Sequence, residues 1–110
     1  RVLFRSSAGN NVFNVVLTSN VTAINVTGTP ALGQRLAILF LQSGSGSTVT
    51  TTQSAWTTNS AANFQFPALT VPTLPGSSTN GRWGYVEFVY GQNTVSPNKW
   101  VMTTSQSNCG

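Results

Sequence analysis

The chain has 110 residues, of which 39% are apolar and only 5% charged, with three Trp, six Phe and two Tyr. One domain of this length can bury a core without staples, and the aromatic content excludes the disorder that so much Ser, Thr, Asn and Gly would otherwise favour. The net charge of +4 comes from Arg1, Arg5, Arg35, Arg82 and Lys99 against the lone acid Glu87; these cations are scattered, whereas a phosphate backbone needs several on one surface, so nucleic acid is not an expected partner.

Val2–Arg5 reads as a short first strand, followed by a Ser-Ser-Ala-Gly-Asn turn over residues 6–10. Asn11–Leu17 alternates, with Phe13, Val15 and Leu17 on one face and Val12, Asn14 and Val16 on the other, which is the period of a strand. Ser19 and Asn20 form a turn, and residues 21–26 follow as a strand expected to close a hairpin with the previous one.

Gly28, Thr29 and Pro30 end this unit. Residues 34–42 (Gln-Arg-Leu-Ala-Ile-Leu-Phe-Leu-Gln) then hold an unbroken apolar run from Leu36 to Leu41, bounded by Gly33 and by Ser43-Gly44. A short apolar block between turn signals is a strand buried on both faces, either by its own domain or by a partner subunit. Residues 43–46 make a Gly/Ser hairpin tip. Residues 47–52 carry Val49 among threonines, which suits a solvated or edge strand.

Residues 53–81 form an irregular half interrupted by Pro67, Pro72 and Pro75, with short strands expected at 63–66 and 68–71 and a turn over 76–81. Loops of this length are uncommon in compact domains unless they serve a function, so a binding surface is expected here. Residues 83–90 alternate again: Val86, Phe88 and Tyr90 share one face, and Trp83, Tyr85, Glu87 and Val89 the other. After a turn over 91–98, residues 99–104 make the last strand, with Trp100 and Met102 on one side, and 105–110 read as a tail. No segment repeats apolar residues at helical spacing. The expected fold is therefore all-β: a single antiparallel β-sandwich or jelly-roll-like domain over residues 1–104, with about seven or eight short strands.

Chemistry is sparse. The chain contains no His, one acid and one Cys. Glycoside hydrolysis by paired carboxylates needs two acids, nucleophilic triads need a base, and metal centres need clustered ligands. Neither catalysis, a cofactor nor a metal is expected. Cys109 has no intramolecular partner and reads as a free thiol near the chain end. No stretch reads as a membrane span or a cleavable signal, and the start at Arg1 suggests a processed product, an excised fragment or the ordered part of something longer. Asn20-Val21-Thr22 and Asn25-Val26-Thr27 match the N-glycosylation acceptor pattern, as short Asn- and Thr-rich stretches do by chance.

Glu87, mid-strand, is expected to form a structural ion pair, with Arg35 the leading partner ahead of Arg82 and Lys99. Trp56, Trp83, Tyr85, Tyr90 and Trp100 could stack on a sugar or pack at an interface. Trp56, in a loop of polar neighbours, leads that group; Phe64 joins Trp83 and Tyr85 as a further candidate ligand or interface residue, and Trp100 is assigned to the core.

The order of landmarks also resembles a known group. It runs Asn-Val-Phe-Asn-Val (11–15), Leu-Thr-Ser-Asn-Val-Thr (17–22), Gly33, the apolar strand ending in Gln42, and Thr48-Val49-Thr50; Trp56, a Pro-interrupted segment, Val-Glu-Phe-Val-Tyr (86–90) and Trp100 follow. Over residues 11–104 this resembles the small β-sandwich modules of virion structural proteins in tailed bacteriophages. The resemblance implies a non-enzymatic tail-fibre, tail-tip or capsid-decoration protein of the virion that forms a homotrimer or other symmetric assembly, contacts other virion proteins and could touch a host-surface glycan. The rival expectation is a monomeric carbohydrate-binding or adhesin domain using the 53–81 loops. A fragment of a larger capsid jelly roll is a third.

Overall fold

In the computed structural model, residues 2–5, 11–44, 46–59, 61, 63–92 and 98–110 are described, the first four by their backbone alone. The turn expected over 6–10, and most of the one over 91–98, lie outside these residues. Strands dominate: β1 (Val2–Arg5), β2 (Asn11–Leu17), β3 (Ile24–Thr27), β4 (Arg35–Gln42), β5 (Trp56–Thr58), β6 (Phe64–Gln65), β7 (Trp83–Gly91) and β8 (Lys99–Cys109). The only helical turns among the described residues are two of 3-10 type, Gln53–Ala55 and Pro67–Leu69. Among the described residues, no helix is long and apolar enough to cross a membrane.

The strands form a three-stranded sheet ordered β1-β3-β5 and a five-stranded sheet ordered β2-β4-β7-β8-β6. All pairs in the small sheet are parallel, as are β2 with β4 and β6 with β8; only β4–β7 and β7–β8 are antiparallel. The expected antiparallel arrangement is thus replaced by a mixed one. From β1 to β5 the chain alternates between the sheets at every strand, so each strand returns beside the one two before it and must run parallel to it.

This coiling also removes the hairpin expected between residues 11–17 and 21–26. Leu17 is buried, Thr18 to Asn20 are exposed, and Val21 makes an isolated parallel bridge to Val49 before β3 enters the other sheet. That bridge, with Val21 N–H donating to Thr48 O and Thr50 N–H donating to Val21 O, is all the strand pairing in the Thr-rich 47–52 segment. Two further expectations change. Residues 68–71 contribute to a 3-10 turn with Ala68 and Leu69 at positive φ, 52° and 58°. The presumed tail is strand: β8 continues to Cys109, with Tyr85 opposite Gln106 and Trp83 opposite Cys109.

Both sheets contribute to one core. Ile24, Val26 and Trp56 meet Leu17, Leu36, Ile38, Phe40, Val86, Phe88 and Trp100, and Phe64, Phe66, Val71 and Leu74 fill in from the loop half. At its centre, the rings of Trp56, Phe64, Phe66 and Phe88 lie with centroids 5.0–6.5 Å apart, mostly edge to face. Edge-to-face geometry lets the positive ring edge meet the negative face, a gain of about 0.5–1.5 kcal/mol per pair beyond burial.

A buried amide holds the loops at one end. Gln42, 1% exposed, donates from Nε2 to Ser47 O (2.8 Å) and Ser77 O (2.9 Å), while its Oε1 accepts from Ser47 N (3.1 Å). Its backbone pairs with Arg82 O and Gly81 N. One side chain thus ties the tip after β4 to the segment before β7 and pairs with three of their backbone groups. Close by, Gly84 on the inner face of β7 lies against Pro75, which follows a cis peptide bond. A Cβ at Gly84 would fall 2.6 Å from Pro75 Cα, so only glycine fits this crossing.

Candidate functional site

The period-2 alternation of β2, β4 and β7 gives the five-stranded sheet an inner face in the core and an outer face away from it. Strand registers set the outer residues in rows. Val16, Leu41, Trp83 and Cys109 lie side by side across β2, β4, β7 and β8; the next row is Asn14, Leu39, Tyr85 and Gln106, and the next is Val12, Ala37, Glu87 and Thr104. Val12 and Val16 are 64% and 55% exposed, Leu39, Leu41, Trp83 and Tyr85 are half-buried, and Val101 extends the apolar surface beside Val89. Leu39 and Trp83 also line a shallow apolar hollow with Cys109 and Gly110. Leu39, Leu41, Trp83, Tyr85 and Val16 thus adjoin one another, with Asn14, Gln106, Glu87 and Thr104 interleaved in the same rows.

The run from Leu36 to Leu41, expected to be buried on both faces, is therefore buried by its own domain on one. Leu36, Ile38 and Phe40 point inward and are fully buried, whereas Leu39 and Leu41 remain half-covered on the outer face. Ala37, on the same outer face, is 5% exposed between its neighbours.

This face carries one ion pair. Arg35 Nη1 lies 3.0 Å from Glu87 Oε1, and the Tyr85 hydroxyl donates to Glu87 Oε2 at 2.6 Å. Losing the phenolic proton would break that hydrogen bond and place a phenolate against a carboxylate. The Tyr85 pKa is accordingly raised, first by the bond to Glu87, then by burial and by the Glu87 charge, with Arg35 opposing. The pair leaves the outer face without net charge at its centre.

Two sequence candidates lie elsewhere. Trp56 and Phe64 are both 0% exposed, so neither can present a ring to a ligand or a partner. Trp56 sits among polar residues in the chain, but distant residues bury it: Phe64, Phe66 and Phe88 surround its ring, and its Nε1 donates to Thr50 O at 3.3 Å. The structure brings Trp83 and Tyr85 together on the outer face with Arg35 and Glu87. It adds Val12, Val16, Leu39 and Leu41, whose shared face follows from the alternation of residues 11–17 once β2 and β4 are known to be neighbours. Trp100 is in the core. Asn25 is 5% exposed and donates from Nδ2 to Thr57 Oγ1 at 2.7 Å, so the second glycosylation pattern is buried.

A groove lies near the opposite end of β7, where the ends of β3 and β5 approach Tyr90 and Trp100; it has a volume of about 200 Å³. Among the described residues, no three His, Cys, Asp or Glu side chains gather where they could hold a metal. Comparison with protein-family models, curated proteins and solved structures found no match to this chain.

Proposed function

We propose that this chain is a non-enzymatic structural module of a tailed-bacteriophage virion, of tail-fibre, tail-tip or capsid-decoration type, built as a β-sandwich of mixed sheets and assembling with copies of itself as a homotrimer. The observation that carries this reading is the outer face of the five-stranded sheet. Leu39, Leu41, Trp83 and Tyr85, flanked by Val12 and Val16, supply apolar and aromatic surface of the kind that forms interface cores.

The occupant that fits is another copy of the same chain. The chain carries +4 overall, yet at the centre of this face Arg35 is paired with Glu87 and Lys99 stands only at its edge opposite Gly91, so the central rows of identical chains can approach without uncompensated like charges. Turned toward a three-fold axis, one part of the face on each subunit meets a different part on the next, so the ring closes and buries the face in every subunit. The low charge of the whole chain suits close packing among virion proteins, where an unpaired buried ion is costly.

Size-exclusion chromatography with light scattering tests this. The purified chain should elute at the mass of about three chains. Val16→Lys and Leu39→Lys, which place ammonium groups in the apolar rows, should elute as monomers with unchanged circular dichroism. A wild-type chain that stays monomeric at high concentration refutes the reading.

A further inference from the structure

We infer that the groove between the ends of β3 and β5 and the Tyr90 ring binds one neutral saccharide ring. Among the described residues, Thr58, Asn59, Asn63, Pro30, Tyr90 and Trp100 line it, and no described charged side chain does. In a chain with five cations and one anion, a site for a phosphate, a sialic acid or another anion would be expected to use an Arg or Lys. Among the described residues this one offers only neutral groups.

The groups present match the two faces of a sugar. A pyranose has C–H faces that pack on an aromatic ring and hydroxyls that both donate and accept hydrogen bonds. Tyr90 provides the ring. It is half-buried and backed by fully buried Trp100, with centroids 5.1 Å apart at 59°. Its backbone is fixed on both sides, since Tyr90 N–H donates to Gln34 O (2.8 Å) and Tyr90 O accepts from Gly33 N–H (2.9 Å). A ring held this way loses little freedom on binding.

Asn59 and Asn63 provide amides, each able to donate and accept. Asn59 occupies the left-handed region, φ 48°, in a tight turn closed by reciprocal bonds between Thr58 and Ala61. Asn63 is tied to the floor, because its backbone oxygen accepts from Trp100 N–H at 2.9 Å. At about 200 Å³ the groove is smaller than the roughly 300–1,000 Å³ of clefts that enclose drug-sized ligands, so it takes a single ring of a glycan chain.

This inference does not depend on self-assembly. Tyr90 belongs to the inner face of β7 and Trp83 to the outer face at the other end of the same strand.

The test is an NMR titration of the isotope-labelled chain with galactose, glucose and N-acetylglucosamine, and with sialic acid as the anionic control. At least one neutral sugar at millimolar concentration should shift the amide resonances of Asn59, Asn63 and Tyr90, and sialic acid should not. Asn59→Gly removes an amide while keeping a residue suited to positive φ, so it should fold normally and weaken binding about tenfold. Tyr90→Phe should retain binding, because it keeps the ring. The inference is overturned if no neutral sugar shifts these resonances, if Asn59→Gly binds as tightly as wild type, or if sialic acid binds better than the neutral sugars.

Discussion

Replacing Trp56 by alanine separates a structural ring from a ligand platform. The side chain is fully buried, touches three other rings at centroid distances of 5.3–5.8 Å, and donates one hydrogen bond to Thr50 O. Truncating a buried Trp costs about 3–5 kcal/mol in lost transfer energy and residual cavity. Because Phe64, Phe66 and Phe88 are themselves packed on other elements and cannot collapse into the gap, the upper end of that range applies here. A small domain has only about 5–15 kcal/mol of total stability. With a urea m-value of about 1–3 kcal/mol/M, the unfolding midpoint should fall by about 2 M or more. Trp56→Phe keeps the ring contacts and loses the Nε1 donor, at a cost of about 1–2 kcal/mol. Far-ultraviolet circular dichroism is the suitable probe, since removing Trp56 alters the fluorescence. An alanine variant with the wild-type midpoint would refute the placement of Trp56 at the centre of the core.

Three further outcomes follow from local geometry. Gly84→Ala forces a Cβ to within 2.6 Å of Pro75 Cα, a backbone atom that cannot swing away, and should lower the urea stability by about 1–3 kcal/mol or more. Gln42→Leu keeps the volume but removes the hydrogen bonds to Ser47 N–H, Ser47 O and Ser77 O; each lost bond costs about 0.5–1.5 kcal/mol, and the thermal midpoint should drop. Glu87→Gln removes a partly exposed ion pair and should cost less than about 1 kcal/mol, yet it should bring the raised Tyr85 pKa down, read by tyrosinate absorbance in an alkaline titration. Because the folded-state pKa of Tyr85 lies above its unfolded value, its contribution is complete below the unfolded pKa near 10 and is lost as pH rises through the folded one; a wild-type and Glu87→Gln pair with identical alkaline titrations would remove the Tyr85–Glu87 bond from the account.

Alternation made the faces of β2 and β7 legible, because a period of two is imposed by the pleat whatever the neighbouring strand is. Neighbours were not legible. Nothing in Val12, Asn14 and Val16 says that β2 runs parallel to β4 rather than pairing back on residues 21–26; that depends on where the chain crosses between sheets. Trp56 was misplaced for a related reason, since its sequence neighbours are polar and its actual neighbours are Phe64, Phe66 and Phe88. Ser105 to Cys109 lack apolar alternation, yet they form strand because the β7 backbone supplies their hydrogen bonds. The outer face became visible only when strand order set Leu39, Leu41, Trp83 and Tyr85 side by side.

The proposed assembly and the proposed sugar groove place complementary demands on β7. Seven residues separate Trp83 from Tyr90, about 23 Å along a strand, and the two side chains belong to opposite faces. Covering Trp83 with neighbouring subunits therefore leaves Tyr90 open. The groove is small and its described lining is uncharged, so a single site should hold its sugar only at millimolar concentration, about 4 kcal/mol. A trimer would present three such grooves on one particle, and several chains on a virion would present more. Linked weak sites gain about 10²–10⁴ in avidity without any new contact when their spacing matches that of the target. Dispersing the trimer by Val16→Lys should therefore weaken attachment to a glycan-coated surface far more than it weakens binding of the free sugar, whereas Asn59→Gly should weaken both.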